Sequence, residues 1–433
     1  MKNRRLVPVL VSAVAALALG STAACASDVG NGAKVSSSSP SARGTDGSPS
    51  SGSPTSDGSP AGPGSTRPSS GPTSTKPSST TEPGGSQTCA RLAGQLSLKQ
   101  QVGQLFMVGT GSSGMPLQQS RELAELKIGS VILLDQSTAG KSTIQHVTST
   151  IRDRVGTSHG IGLMLAVDQE GGQVQRLKGP GFDSIPSAVE QGQLSPSELT
   201  RDATTWGEQL ADAGIDVDLA PVADVVPKSM ININQPIGVL DRGYGSSAKK
   251  VEKYDLAFIH GMQKAKIATT VKHFPNLGRV RGNTDFDRSV VDDETTRDDA
   301  SLGPYRGAVD AGVDMVMVSS AVYSRIDAKS PATFSSTVVG GMIRKDLKYD
   351  GVIVSDALEG KALGDTPEPE RALKFIRAGG DLALIGDPQA VRPMVRNLRD
   401  AAQQDDTLRQ RIKRSTERVL IMKSRYGLAD CTP

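Results

Sequence analysis

Eight short apolar runs recur along the chain from about residue 105 onward, and amphipathic stretches separate them. The runs are Leu105 to Val108, Ser130 to Leu134, Leu163 to Val167, Val217 to Val222, Thr269 to His273, Met315 to Ser319, Gly351 to Ser355 and Leu382 to Ile385. Helical periodicity marks Ser120 to Leu126, Ser197 to Ala213, Lys249 to Ala265, Leu302 to Ala311 and Glu370 to Ala378. Strands that are apolar on both faces, each followed by a one-faced helix, require a parallel sheet covered by helices. Eight such units in about 340 residues point to an α/β fold of the (β/α)8 TIM-type barrel class. A doubly wound open sheet is the alternative, because the pattern alone does not show closure.

The first fifth of the 433-residue chain is of another kind. Lys2, Arg4 and Arg5 precede an apolar run from Leu6 to Leu19 and the small residues Ala23-Ala24, which reads as a secretory signal over residues 1–24. Cys25 stands where a lipoprotein signal places its acylated cysteine, although Thr22 replaces the leucine usual three residues before it. Cleavage without lipid attachment is the other reading. Residues 25–88 are then Ser, Gly, Pro and Thr with few large apolar side chains, too little to offset the entropy of ordering them. A disordered tether from a lipid anchor to a single catalytic domain at 89–433 follows, on an exported protein held at the outer face of the cytoplasmic membrane, in the cell-wall space.

Cys89 and Cys431 bracket that domain, and in an exported protein this placement suggests a disulfide joining its ends. With no histidine near either, they supply too few ligands for a metal. The net charge of +3, without clustered Lys and Arg or interleaved aromatics in the folded region, argues against a nucleic-acid partner. No segment after residue 25 is apolar for long enough to cross a membrane.

In a barrel, functional side chains come from the carboxyl ends of the strands and the loops that follow. Asp135, Asp168, Asp224, Lys272, His273, Ser319, Ser320 and Asp356 all fall there. Asp135 and Asp224 are read as structural; the set as a whole reads as one pocket. Asp168-Gln169-Glu170-Gly171-Gly172 turns through two glycines toward Arg176, so that a carboxylate and a guanidinium can converge on one ligand. Val352-Ile353-Val354-Ser355-Asp356 delivers a carboxylate from a rigid buried strand, as attack on an anomeric carbon requires. Lys272-His273-Phe274-Pro275 places two donors at another strand end.

Asp168 through Arg176, Asp241-Arg242, Lys272-His273-Phe274-Pro275 and Ser355-Asp356 occur in the order seen in glycoside hydrolase family 3, and the chain resembles its β-N-acetylglucosaminidase branch from about Leu96 to Leu384. The resemblance implies an exo-acting retaining hydrolase that removes terminal β-linked N-acetylglucosamine, often from peptidoglycan fragments, without a cofactor. It implies Asp356 as nucleophile, and Asp168, Arg176, Arg242, Lys272 and His273 as ligands of the nonreducing-end sugar.

One departure stands out. That branch usually carries Asp-Ser-His after the fifth strand, with the histidine as acid/base; the equivalent residues here are Asn283, Thr284 and Asp285. Of the four histidines only His273 lies in this region, so Asp285 is the first candidate proton donor and Asp287 the second. Gly278 and Gly282 are expected to make the loop mobile. A carboxyl acid needs a raised pKa, from partial burial or from the charge of Asp356. An anionic base also repels phosphate, which favours hydrolysis over phosphorolysis. Two other readings stand beside this one: a sugar-binding lipoprotein that has lost the chemistry, and a β-glucosidase, against which stands the short helical stretch after Ile385, too small for a second sandwich domain.

Overall fold

The computed structural model describes residues 83–156 and 158–431. The expected signal, Cys25 and most of the expected tether lie outside the described residues. A helix runs over Pro83–Gln95, and Cys89 sits within it.

Eight parallel strands form the centre: β1 Phe106–Thr110, β2 Ser130–Leu133, β3 Met164–Val167, β4 Val217–Asp218, β5 Ala268–Phe274, β6 Met315–Val318, β7 Val352–Ser355 and β8 Ala383–Ile385. Neighbours in space are neighbours in sequence, and β8 pairs with β1. A Val354–Leu382 bridge then joins the last two strands, with Ser355 N donating to Leu382 O at 3.0 Å and Leu358 N to Leu384 O at 3.0 Å. The ring thus meets itself, and the barrel, not the open sheet, is the fold. Every residue of β1, β2, β3, β6, β7 and β8 is buried, which explains their unbroken apolar runs.

The helices alternate as expected: α1 Leu117–Leu126, α2 Lys141–Val155, α3 Pro196–Asp212, α4 Ala248–Lys264, α5 Gly303–Asp310, α6 Thr337–Asp346, α7 Arg371–Ala378 and α8 Val391–Gln403. α3 starts on a capping box in which Ser195 and Glu198 satisfy each other's backbone N–H groups, with Pro196 at its first position. α6 is wound as a π-helix, which its sequence pattern does not announce.

Two strands depart from the expected register. β4 was expected to run to Val222, but Pro221 has no N–H to give its neighbours, and the regular ladder ends at Asp218 before resuming at a Val222–Lys272 bridge. Pairing of β5 with β6 shifts register between Val271 and Phe274, a bulge that spans Lys272 and His273. Bulges re-aim side chains, and this one lies where the chemistry is expected.

The end of the barrel away from the site is closed by the helix Asp406–Arg425, whose Lys423 is fully buried. Its Nζ donates to Gln104 Oε1 at 2.8 Å, Gly129 O at 2.7 Å and Gly162 O at 2.9 Å, so the ammonium is solvated by protein oxygens rather than water. Cys89 and Cys431 are joined by a disulfide that ties the first helix to the segment after this last one. Replacing Cys431 by Ser is expected to lower unfolding stability by about 2–5 kcal/mol. Urea denaturation with and without reductant checks this: reductant should destabilise the parent protein and leave the variant unchanged.

Candidate active site

The Asp168 motif folds as a small hairpin, Gln169–Gly171 against Val174–Gln175, at the mouth of the barrel beyond β3. Its turn needs positive φ at Gly171 and Gly172, 106° and 54°, and a side chain at Gly171 would strike the Pro186 carbonyl. This turn sends Glu170, a residue to which sequence reasoning assigned no role, inward to a buried position.

Glu170 is the hub of the site. Arg242 grips its carboxylate with two bonds of 2.8 Å, from Nε to Oε2 and from Nη2 to Oε1. Lys272 Nζ lies 2.6 Å from Glu170 Oε1 and 2.7 Å from Asp168 Oδ1. Burial opposes charge on Glu170, but the two cations outweigh it and bring its pKa down to about 2. Burial likewise opposes charge on Lys272, and Asp168 and Glu170 hold its pKa above the ordinary lysine value all the same.

Asp218, fully buried at the end of β4, accepts a 2.9 Å bond from Gln169 N through Oδ1, while its Oδ2 has no hydrogen-bond partner among the described residues. Burial, with Asp168 and Glu170 nearby, pushes its pKa up to about 8. With Asp218 neutral, two cations face two anions and the cluster is balanced.

Lys272 and Arg242 are among the residues expected to bind the sugar. Both are already engaged, and this limits what each can offer. Lys272 is 2% exposed and spends two of its three protons on Asp168 and Glu170. Arg242 also donates Nη1 to Pro236 O at 2.7 Å. Arg176 is different: its backbone N bonds Asp168 O at 3.3 Å, but its buried Nε has no hydrogen-bond partner among the described residues. A buried donor left unmatched is costly.

His273 leaves the bulge toward the β4 side and places Nδ1 2.8 Å from Oδ2 of Asp224. Asp224 also accepts from Leu277 N and, at 3.4 Å, from Tyr305 Oη. A carboxylate accepts, so Nδ1 carries a proton toward Asp224. The structural role read for Asp224 is therefore specific: it fixes the orientation and tautomer of His273.

Asp356 follows β7, half-buried, with Ala357 N donating to its Oδ1 at 2.9 Å. Asp285 lies on the loop after β5 in an Asx turn, its N donating to Asn283 Oδ1 at 2.9 Å. Lys361 N donates to Asp285 O at 3.3 Å and Ala362 N to Thr284 O at 3.0 Å, so the loop is laced to the segment just after Asp356. Asp285 remains open to water, yet crowding by the surrounding walls, then the charge of Asp356, pushes its pKa up to about 6. Asp287 is committed elsewhere: its Oδ2 accepts from Asn283 N at 2.8 Å and closes the turn that presents Asp285. Gly278 packs its bare Cα against the Val225 carbonyl, where any side chain would collide.

Residues 97–422 match the glycosyl hydrolase family 3 N terminal domain. The chain belongs to this family. A crystal structure of β-N-acetylhexosaminidase from Beutenbergia cavernae shares 41% identity, with 76% of this chain covering 99% of that one at a TM-score of 0.75. A family 3 β-N-acetylglucosaminidase from a Paenibacillus species shares 30% identity over 77% of this chain and 63% of its own length, at a TM-score of 0.70. Among curated proteins, a β-hexosaminidase of Haemophilus influenzae is 32% identical over 288 residues, 64% of this chain and 78% of its own length. This chain is accordingly a family 3 glycoside hydrolase of the β-hexosaminidase type.

The Glu170 hub yields a prediction. Glu170→Gln removes the charge that holds Arg242 and Lys272, and breaking such a buried pair costs about 3–5 kcal/mol. Because the folded-state pKa of Glu170 lies below its unfolded value, its contribution is present above about pH 4.5 and is lost as pH falls toward about 2. Denaturation midpoints measured from pH 7 down to pH 2 should fall less steeply in the variant than in the parent.

Proposed function

We propose that this family 3 member is a retaining exo-β-N-acetylglucosaminidase that hydrolyses terminal β-linked N-acetylglucosamine, with Asp356 as nucleophile and Asp285 as acid/base. The single observation that carries the reading is the raised carboxyl of Asp285 near Asp356. Asp285 is pushed up to about 6, first by crowding and then by the charge of Asp356, as a general acid requires. Retention needs one group that attacks the anomeric carbon and another, roughly 5 Å away, that protonates the leaving oxygen and then activates water.

In the first step the Asp356 carboxylate attacks the anomeric carbon while Asp285 transfers its proton to the departing oxygen, leaving a glycosyl ester on Asp356. In the second, the Asp285 carboxylate takes a proton from water, which attacks the same carbon and frees the enzyme. Arg176, with an unmatched donor, and Asp168 serve as ligands of sugar hydroxyls, while Arg242, Lys272 and His273 are held ready by Glu170 and Asp224. Peptidoglycan fragments are the proposed source of substrate, consistent with an enzyme exported and anchored through Cys25 in the cell-wall space.

Asp356→Ala should abolish hydrolysis of a chromogenic N-acetylglucosaminide; turnover like that of the parent would remove it as nucleophile. Asp285→Ala should lose at least about 100-fold in rate on sugar leaving groups and much less on activated aryl ones. Full activity on the poor leaving groups would move the acid role away from Asp285. Since the acid acts in its protonated form, kcat/KM on a GlcNAc-MurNAc disaccharide should decline as pH rises above about 6. Product analysis on the same disaccharide tests linkage and anomeric outcome.

A further inference from the structure

The residue that follows Asp285 is an aromatic ring that the packing of the barrel does not use. Phe286 is 69% exposed, while the other six phenylalanines of the chain are buried or half-buried. It is not isolated. Ile231, Ile233 and Val239 on the loop after β4, with Phe286 and Val291 on the segment after β5, make up five of the seven large apolar side chains left exposed among the described residues. Apolar residues scattered singly over a surface need no account, but five on two adjoining loops do.

Both loops leave the carboxyl ends of their strands, the end of the barrel where Asp356 also lies, and they are tied to each other. Asn234 Nδ2 donates to Leu277 O and Val280 O at 2.7 Å each, and Gln235 N donates to Arg281 O at 3.3 Å. Pro236 O takes the Arg242 guanidinium, so the apolar loop borders the charged cluster directly. The turn that carries Phe286 is closed on itself: Asn283 O accepts from Phe286 N at 3.1 Å and from Asp287 N at 2.8 Å. With Thr284 O and Asp285 O bonded to the segment after Asp356, the backbone beneath the ring is held while the ring stands in water.

We propose that Phe286 is a specificity-determining residue, the platform on which the leaving sugar stacks as its bond to N-acetylglucosamine is broken. The leaving oxygen must come within roughly 3 Å of the Asp285 carboxyl to receive its proton. The Cα of Phe286 is only about 3.8 Å from that of Asp285, so a sugar attached to that oxygen lies within reach of the ring. A β-linked pyranose turns C–H groups outward from its faces, and the negative face of an aromatic ring attracts them. Contact also removes apolar surface of the ring from water. A methyl leaving group offers no such face. This rests on Asp285 as the acid, because the acid is what places the leaving group beside Phe286.

The test is kcat/KM on a GlcNAc-terminated disaccharide and on methyl β-N-acetylglucosaminide for the parent enzyme, F286A, F286W and D285N. Both substrates have poor leaving groups that need the acid, and only the disaccharide has a second ring to stack. F286A should lose about 5- to 10-fold on the disaccharide and stay within about twofold of the parent on the methyl glycoside, while F286W keeps the disaccharide rate. Equal losses on both substrates would make Phe286 a support for the Asp285 loop, and an unchanged disaccharide rate would leave the ring without a contact to the sugar; either result overturns the proposal. D285N separates the two claims. It should lose both substrates, and if it keeps them the acid assignment itself has failed, whatever F286A does.

Discussion

The mouth of this barrel depends on one buried carboxylate. Glu170 is held by Arg242 from the loop after β4 and by Lys272 from β5, and it reaches them from the hairpin after β3. Three separate segments thus converge at its carboxylate, and Arg242, Lys272 and Asp168 are held in place by it and by one another. Preorganised donors of this kind lose little entropy when charge develops in a transition state. The arrangement is tolerable in a dry interior because Asp218 stays neutral beneath it and the remaining charges balance.

A second constraint sets the chemistry apart from the binding. The other carboxyls stand without such partners: Asp356 has a backbone N–H, Asp285 is presented by an Asx turn through its own N–H, and Glu359 sits in a glycine-shaped niche. Among the described residues no ion pair neutralises them, and Asp285 and Glu359 are pushed up to about 6 and about 7. One half of the site is therefore built to fix charge and the other to keep protons available. A retaining glycosidase needs both, since its acid must give up a proton in one step and recover it in the next.

The barrel was legible because its strands are buried on both faces and its helices on one, a pattern that periodicity reports directly. The strand-end aspartates were legible for the same reason, as polar residues closing apolar runs. What stayed hidden depended on contacts distant in sequence. Glu170 sits inside the quoted Asp168 motif, yet only its 72-residue reach to Arg242 shows it as the hub. Asp224 reads as any buried aspartate until His273 is found beside it. The engagement of Asp287 in its own turn, the close packing of Gly278 and the niche at Gly386 are matters of a few ångströms that no spacing rule carries. Pro221, by contrast, could have signalled the early end of the β4 ladder.

The central claim is that Asp356 forms the covalent bond to the sugar while Asp285 handles the proton. Its most direct test is to trap the intermediate with a 5-fluoro-N-acetylglucosaminyl fluoride and sequence the labelled peptide by mass spectrometry. The account predicts one equivalent of label on Asp356 and slow release of the sugar with retained configuration. Label on another carboxyl, or fluoride release with inversion and no trapped ester, would contradict it.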